Sequence, residues 1–330
     1  MKKFQLCGLG NAIIDILVRI SEQDFKKLGY EKGTMNLIDA EAQSELISRF
    51  HSREPVLASG GSVANSIVTF AELGGRAAFT GCFGDDKYGL FYKAEFENFG
   101  IELTQAPIVN ALSGTCLSLI TPDSERTMRT CLGISAILDD AHVSSEVIQE
   151  SEWIFLEGYL FSNQERGQKA VSKALETAKA SGTKVAVTFS DTWVIDNFRS
   201  AMSKAVEQSE LIFANAAEAM QYTLTDNINS AFEALAGLAP IVIMTAGDKG
   251  AYLAYHGEKS HVPAFPTQPV DMTGAGDVFA GAFLYGLEHK INPVKALEGA
   301  CFLASKVIRQ IGARLHSGVR ASWDECMQSG

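Results

Sequence analysis

The segment 271–277 reads Asp-Met-Thr-Gly-Ala-Gly-Asp and directly precedes an apolar helical run. Gly274, Ala275 and Gly276 lack bulk, so their backbone N–H groups can approach a ligand at a helix N-terminus, where an anion is favoured. Asp277, in the first helical turn, is placed to take a proton from a hydroxyl that attacks a phosphoryl group held there. Phosphoryl transfer needs this combination of charge stabilisation and an oriented base. A helix start with a carboxylate cap and closely packed glycines is the alternative.

A second glycine-rich segment, Gly-Gly-Ser-Val-Ala-Asn, occupies positions 60–65. Gly60 and Gly61 predict a turn, and Ser62 can cap the helix that follows. Asn65 lies one turn into that helix, where its amide could bond a neutral polar ligand such as a sugar hydroxyl. By itself the segment favours the alternative, which is a plain helix cap with a structural Asn65.

The segment 8–15, Gly-Leu-Gly-Asn-Ala-Ile-Ile-Asp, imitates a dinucleotide-binding fingerprint. Ile13 stands where the third glycine belongs, and the chain after it remains strand-like, so we exclude a Rossmann NAD site. Asn11 and Asp15 could instead present an amide and a carboxylate at a strand end, where a carboxylate can bind vicinal sugar hydroxyls. A solvated loop aspartate is the alternative for Asp15.

The segment 244–250, Met-Thr-Ala-Gly-Asp-Lys-Gly, ends one apolar strand and turns into another. Thr245, Gly247 and Gly250 could form a backbone platform for a nucleotide. A hairpin turn is the better interpretation if the segment stands alone. The sequence contains no Gly-x-x-x-x-Gly-Lys-Ser/Thr motif, which excludes a P-loop.

Short apolar strands alternate with longer amphipathic stretches, which predicts an α/β fold with right-handed crossovers and parallel strands buried on both faces. The strand candidates are Phe4–Leu9, Ala77–Phe83, Trp153–Glu157, Lys184–Phe189, Leu211–Ala214, Ile241–Thr245 and Ala251–Tyr255. The helix candidates are Val63–Leu73, Tyr88–Asn98, Glu165–Ala180, Ala231–Leu238, Asp277–Glu288 and Pro293–Gln310.

Two segments interrupt this alternation, Met35–Asp39 and Gln105–Ile134, because they predict strands joined by turns without helices. The second contains turn residues at Ser113-Gly114-Thr115 and Pro122-Asp123-Ser124. We expect these strands to form a small β lid on one edge of the main sheet. Ligands in open α/β sheets bind at the carboxyl ends of the strands, where a lid would exclude water during a reaction.

Composition excludes several classes of protein. The 330 residues include 28 Lys and Arg against 39 Asp and Glu, with no basic stripe, so we expect no nucleic-acid partner. The sequence shows no signal-peptide core and no apolar run of membrane-spanning length, so we expect a cytoplasmic protein without a membrane partner. The six cysteines are scattered and never spaced Cys-x-x-Cys, which predicts buried thiols and argues against zinc.

Two motifs in the right order make the sequence resemble the ribokinase/PfkB-type carbohydrate kinases over essentially its whole length. Residues 60–65, running on to 81–89, resemble the family's N-terminal signature, and residues 271–277 resemble its C-terminal signature, with Met272 in place of the usual Thr or Ser. The resemblance implies a ribokinase-like three-layer α/β/α sandwich with a mostly parallel central sheet and a small β-sheet lid. It also implies one kinase domain over 1–330, with lid segments inserted near 11–20, 33–40 and 104–134.

The resemblance assigns catalytic roles in phosphoryl transfer from ATP. Asp277 matches the family's catalytic base, and the three residues Gly274–Gly276 match its anion hole. Arg126 matches an arginine of the lid that reaches toward the phosphates. From the residues alone, Arg126 also fits a solvated charge in a loop.

The resemblance also implies where the nucleotide and its metal bind. Asn215 and Glu218 match an Asn-x-x-Glu motif that supports Mg²⁺ and phosphate through water, and Thr245 and Gly247 match a strand end that borders the ATP site. We expect Gly250 to belong to the same nucleotide-binding turn.

On the acceptor side, Asp15, Gly61 and Asn65 match residues that hold the hydroxyls of the phosphoryl acceptor. We group Gly60 and Ser62 with them as substrate-binding residues, together with Asn11.

Many members of the family use a monovalent cation, usually K⁺, beside the anion hole. The resemblance places the backbone oxygens of Asp271 and Thr273 there, with the chain near Gly312 closing the site. It leaves the oligomeric state open between a monomer and a homodimer.

The pattern Gly-Asn-x-x-x-Asp at 10–15 narrows the choice of phosphoryl acceptor, because it resembles the adenosine-kinase branch more than typical ribokinases. The resemblance therefore favours an ATP-dependent kinase for a primary hydroxyl of a nucleoside, above all adenosine. A purine needs apolar and aromatic walls, and the candidates Ile13, Leu119 and Tyr159 would fit a core equally. The alternatives are a kinase for ribose, fructose or a related sugar, and a non-catalytic nucleotide or sugar sensor.

Overall fold

The computed structural model describes residues 2–50, 55–123 and 125–328, so Ser124 of one predicted turn lies outside it. The strands are β1 (Phe4–Leu9), β2 (Ile13–Arg19), β3 (Met35–Leu37), β4 (Val56–Gly60), β5 (Ala77–Thr80), β6 (Glu102–Leu103), β7 (Gly114–Ile120), β8 (Arg126–Cys131), β9 (Ser151–Leu156), β10 (Lys184–Thr188), β11 (Leu211–Asn215), β12 (Ile241–Thr245), β13 (Ala251–Tyr255) and β14 (Glu258–Val262). The helices are α1 (Glu22–Leu28), α2 (Ala40–Ser48), α3 (Ser62–Glu72), α4 (Lys87–Asn98), α5 (Ser145–Gln149), α6 (Gly167–Ser181), α7 (Thr192–Glu207), α8 (Ala216–Thr223), α9 (Ile228–Leu235), α10 (Ala275–Glu288), α11 (Pro293–Val307) and α12 (Val319–Gln328).

Within the described residues, nine strands form the main sheet in the order β14-β13-β12-β11-β10-β9-β1-β5-β6. The strands from β12 through β6 run parallel, while β13 and β14 pair antiparallel at one edge. The parallel strands are apolar nearly throughout because helices cover both faces of the sheet. Their carboxyl ends therefore meet at one edge, which is where the polar segments of the sequence gather.

Successive residues of the parallel strands face two separate cores. On β1, Leu6 packs into the core that contains α3, α4, α10, α11 and α12, whereas Cys7 packs into the core that contains α5 to α9. On β9, Phe155 packs into the first of these cores and Ile154 packs into the second. The fold is thus a three-layer α/β/α sandwich with a mostly parallel sheet, which confirms the predicted fold class.

Five further strands form a smaller sheet, the second sheet, in the order β3-β8-β7-β2-β4. Its interior face packs on α1 and α2 through a small core that includes Val18, Phe25, Leu46 and Leu119. β3, β7 and β8 fall in the segments where the sequence predicts strands without helices. β4, which pairs antiparallel with β2, was not predicted.

Among the described residues, six helices were not predicted from the sequence: α1, α2, α5, α7, α8 and α12. The longest of them, α7, contains a kink at Phe198, where φ is −134°. α10 starts at Ala275 rather than at Asp277, so the predicted start is wrong by two residues.

All six cysteines are free and buried, as predicted. No helix among the described residues is both long and apolar enough to cross a membrane.

Candidate active site

α10 begins at the carboxyl edge of the main sheet through a turn that only glycine accommodates well. Gly274 is the N-cap with φ 76°, and a Cβ on it would lie 2.1 Å from the carbonyl oxygen of Ala313. A Cβ on Gly276 would instead meet no atom within 4 Å. Open space therefore lies over the first turn of α10, at the helix end where the dipole favours an anion.

Asp277 lies in that first turn and receives two hydrogen bonds from α3. Ser62 Oγ donates to its Oδ1 atom at 2.7 Å, and Asn65 Nδ2 donates to its Oδ2 atom at 2.9 Å. Burial raises the pKa of Asp277 to about 6, while the two hydrogen bonds act in the opposite direction. A carboxylate with a pKa near neutrality is suited to accept a proton.

The predicted cap at Ser62 is wrong. The N-cap of α3 is Gly61, which makes no side-chain cap, and Ser62 is the first helical residue. Gly61 has φ 101°, and a Cβ on it would lie 2.1 Å from the Asn11 carbonyl oxygen. The connection after β1 and the start of α3 are therefore in contact at this glycine. Because Ser62 does not cap the helix, its hydroxyl can donate to Asp277.

A cavity of about 210 Å³ extends from Asp277 toward the ends of β11 and β12. Six of the residues lining it belong to the predicted site: Ser62, Asn215, Glu218, Thr245, Gly276 and Asp277. The cavity therefore joins the candidate base to the candidate nucleotide-binding residues.

Asn215 and Glu218 form a reciprocal cap at the start of α8. Glu218 N donates to Asn215 Oδ1 at 2.9 Å, and Asn215 Nδ2 donates to Glu218 Oε1 at 2.7 Å. Burial raises the pKa of Glu218 to about 7. Among the described residues no group of three or more His, Cys, Asp or Glu side chains could hold a metal, and the water-mediated role of Glu218 toward Mg²⁺ stays a prediction.

On the opposite side of the site, Asn11 lies in the connection between β1 and β2 and is bound to Glu157. Glu157 is 1% exposed and accepts hydrogen bonds from Asn11 Nδ2 at 2.7 Å and from Val63 N at 3.3 Å. Burial raises its pKa to about 7. Glu157 was not predicted from the sequence, although a carboxylate directly after the apolar run that ends β9 was a usable signal.

Asp15 lies on β2 and not in a solvated loop, so that alternative is wrong. Its side chain is half-buried, and a Cβ on Gly60 would lie 2.8 Å from its Oδ2 atom. Burial raises the pKa of Asp15, and nearby Arg126 and Arg314 oppose this shift. Two arginines therefore stabilise negative charge on this side of the site.

Arg126 is a buried residue of β8, which rules out the solvated loop charge. Its Nη1 atom lies 2.9 Å from Asp271 Oδ2, the same oxygen to which Gly312 N donates at 2.8 Å. The other oxygen of Asp271 accepts from Thr273 N at 3.0 Å. Three donors therefore bind this carboxylate, and a monovalent cation at the backbone oxygens of Asp271 and Thr273 stays a prediction.

Arg314 is a second residue of the site that was not predicted from the sequence. Its Nε atom donates to Asn65 Oδ1 at 2.9 Å, and its Nη1 atom donates to Ser59 Oγ at 2.8 Å. Nothing in the local sequence marks it, because its partners lie about 250 positions away.

Several predicted residues lie outside the cavity. Gly247 and Gly250 belong to the turn of the β12–β13 hairpin, and Gly247 is exposed. Leu119 is completely buried beneath the second sheet, which corrects its prediction as a purine wall. Ile13 is also buried, while Tyr159 is half-buried beside Phe189 and its neighbours in the second of the two main cores.

The geometry defines a site for group transfer to a hydroxyl. A helix N-terminus suited to an anion adjoins a carboxylate of near-neutral pKa, and a cavity leads from it to an Asn–Glu pair. Such an arrangement can stabilise a phosphoryl group while a base deprotonates its acceptor.

Comparison with known proteins agrees with this class of enzyme. Residues 33–318 match the family described as "pfkB family carbohydrate kinase", and the chain belongs to that family. Kinases of this family are ATP-dependent phosphotransferases that use Mg²⁺ and an alcohol acceptor.

Solved structures and curated relatives include both nucleoside and sugar kinases. The structure of an adenosine kinase from Sinorhizobium meliloti is 31% identical, with a TM-score of 0.89 over 98% of this chain and 99% of that one. A probable sugar kinase from Rhizobium etli is 30% identical, with a TM-score of 0.90 over 98% and 99%. An adenosine kinase from Schizophyllum commune is 24% identical over 94% of this chain and 97% of its own length.

Proposed function

We propose that this chain is an ATP-dependent kinase for a primary hydroxyl of a nucleoside, with adenosine converted to AMP as the first candidate reaction. The observation that carries the proposal is the position of Asp277, held by Ser62 and Asn65 at the N-terminus of α10 and open to the cavity. The likeness to an adenosine kinase over nearly the whole of both chains supports the choice of acceptor.

In the proposed reaction, Asp277 takes the proton of the acceptor hydroxyl while a bond forms between that oxygen and the γ-phosphorus of ATP. The bond from the γ-phosphorus to the β–γ bridging oxygen breaks, and ADP leaves. The first-turn amides of α10, at 274–276, stabilise the charge on the transferred group. Asn215 and Glu218 would support Mg²⁺ through water, and the bound metal would neutralise phosphate charge. Thr245 borders the same cavity and would contact the nucleotide.

Acceptor binding is proposed for Asn11, Asp15 and Asn65, beside the chain turn at Gly60 and Gly61. The second sheet would act as the lid that excludes water. It would be formed by segments that are inserted into the single kinase domain. Arg126 would act on the phosphates from that sheet, through its position beside the loop that carries Asp271.

A sugar kinase is the second candidate, and the half-buried carboxylate of Asp15 favours it. A carboxylate accepts hydrogen bonds from hydroxyl groups, and a free sugar carries more of these groups than a nucleoside does. The likeness to a probable sugar kinase supports this reading.

ADP release from MgATP with single acceptors separates the candidates. The panel contains adenosine, other nucleosides, ribose, fructose and fructose phosphate. Turnover with adenosine and none with free sugars is expected. Turnover with a sugar alone would replace the nucleoside assignment, and no turnover with any acceptor would contradict the kinase proposal and favour a sensor.

Two further properties are separate predictions. Exchange of K⁺ for choline in the same assay checks whether a monovalent cation is required. Sedimentation of the purified protein distinguishes a monomer from a homodimer.

A further inference from the structure

Arg314 reaches the active site from the far end of the chain and bonds the residue that holds Asp277. Its side chain is 10% exposed and lies among α3, α4 and β4. Nε bonds Asn65, Nη1 bonds Ser59, and Glu95 lies 3.6 Å from Nη1. Arg314 is therefore fixed in place by three groups on three different elements.

The contact between Arg314 and Asn65 fixes which way the Asn65 amide points, because one end of the amide accepts hydrogen bonds and the other donates them. A guanidinium can only donate hydrogen bonds, so it must face the Asn65 carbonyl oxygen. The amide nitrogen then has to face the Asp277 carboxylate, which can only accept when ionised. A flipped Asn65 would set nitrogen against guanidinium and oxygen against carboxylate, and both hydrogen bonds would be lost.

We propose that Arg314 is a positioning residue that holds the Asn65 amide with its donor toward Asp277. The inference rests on the proposed function, because it assigns Asp277 as the base. Ser62 serves the other oxygen of the carboxylate, so Arg314 and Asn65 together account for one of its two side-chain hydrogen bonds. Loss of that bond would leave the base misoriented and less readily ionised.

Other charged groups also surround these residues. Those that face Arg314 are Glu95 and Tyr92 on α4, Glu72 on α3 and Asp15 on β2. Those that interact with Asp277 besides Arg314 are Asp15, Glu157, Glu218 and the phenol of Tyr159. Arg314 is the cation among them that lowers the pKa of Asp277.

The first test is Arg314→Gln with steady-state kinetics across pH. We expect kcat to fall about 10²-fold, as for a slightly misplaced catalytic group, with the KM for ATP unchanged. The acid limb of the kcat profile should move to higher pH. Arg320→Gln is the matched control, because Arg320 joins Leu73 after α3 to Tyr285 on α10, away from the cavity. Equal profiles for the two variants would overturn the proposal.

The second test asks whether Arg314 acts through Asn65. In an Asn65→Ala background, Arg314→Gln should cause little further loss of kcat, because the contact is already absent. Independent, multiplicative losses would show that Arg314 acts by another route. If Arg314→Gln does not fold, Arg314→Lys replaces it, since lysine keeps the charge but not the forked donors.

The third test does not need turnover. Carboxyl ¹³C NMR follows the titration of Asp277 in the wild type, in Arg314→Gln and in Arg320→Gln, without ATP. The pKa of Asp277 should rise only in the Arg314 variant, and an unchanged titration would overturn the positioning role. Absence of phosphoryl transfer in the wild type would contradict the proposed function. The NMR titration of Asp277 would then still decide the role of Arg314.

Discussion

Arg126 Nη1 lies 2.9 Å from Asp271 Oδ2, so a strand of the second sheet is ion-paired with the loop that leads into α10. The side chains are 6% and 3% exposed. Gly312 N donates to the same carboxylate oxygen, which ties the segment after α11 to the pair. Three parts of the chain that are distant in sequence therefore meet at one buried carboxylate.

Replacing Arg126 should destabilise the protein strongly. Arg126→Met leaves Asp271 as an uncompensated buried charge, which typically costs about 3–5 kcal/mol. Urea unfolding measures the loss. Arg49→Ala is the control, since it removes an exposed ion pair with Glu45 and should cost less than about 1 kcal/mol. Equal losses in the two variants would show that the buried pair contributes little.

Asp277→Asn should abolish most turnover without unfolding the site. The amide keeps the shape of the carboxylate but cannot act as a base, so we expect kcat to fall about 10²–10⁴-fold. ATP binding, followed by calorimetry, should remain close to the wild type. The exposed Asp226→Asn serves as control. Near-native turnover of Asp277→Asn would exclude Asp277 as the base.

Gly276 and Gly274 should respond differently to alanine. A methyl group at Gly276 meets no protein atom, so Gly276→Ala should keep the free energy of unfolding while kcat/KM for ATP falls. At Gly274 the positive φ and the Ala313 carbonyl oxygen oppose a side chain, so Gly274→Ala should lower the stability by roughly 1 kcal/mol or more. Unfolding curves and ATP kinetics of both variants test this. Full activity of Gly276→Ala would argue against a phosphate over α10.

Activity and stability should change in opposite directions with pH. Asp277 must be ionised to act as a base, so kcat should fall about tenfold per unit below its pKa of about 6. The pKa of Asp277 and those of Glu157 and Glu218, about 7, exceed the unfolded values of roughly 4. Between these limits the folded state binds more protons than the unfolded state.

The free energy of unfolding should therefore decrease as the pH rises from about 4 to about 7, because ∂ΔG/∂pH is negative where the folded state holds the extra protons. Urea unfolding at several pH values measures the slope. Glu157→Gln should flatten it, whereas the exposed Glu165→Gln should not. A stability that rises across this range would contradict the raised pKa values.

Local patterns in the sequence were sufficient for much of the architecture. Continuous apolar runs such as Ile241–Thr245 predicted buried parallel strands, because a strand covered on both faces has no polar side. The segment 271–277 predicted a helix start with an acidic residue in its first turn, since glycines and a following apolar run are local signals.

The parts that the sequence did not reveal depend on contacts between distant residues. Asn65 and Arg314 are 249 positions apart, and no local pattern marks an arginine that reaches so far. Glu157 bonds Val63, 94 positions away. β4 has an exposed first residue, Val56, and becomes a strand only by pairing with β2, so its short sequence does not identify it.

The chain passes between the two sheets at Asn11, at Gly61, at 104–113 and after Cys131, and all four crossings lie at one end of the second sheet. A swing of that sheet would turn about this end and would be widest at the opposite end, where Arg126 pairs with Ile120. Asp15, two residues from the anchored end of β2, would then move little, and Arg126 would move away from Asp271. Acceptor recognition would thus be ready before closure, and closure itself would be registered by the return of one arginine to one carboxylate.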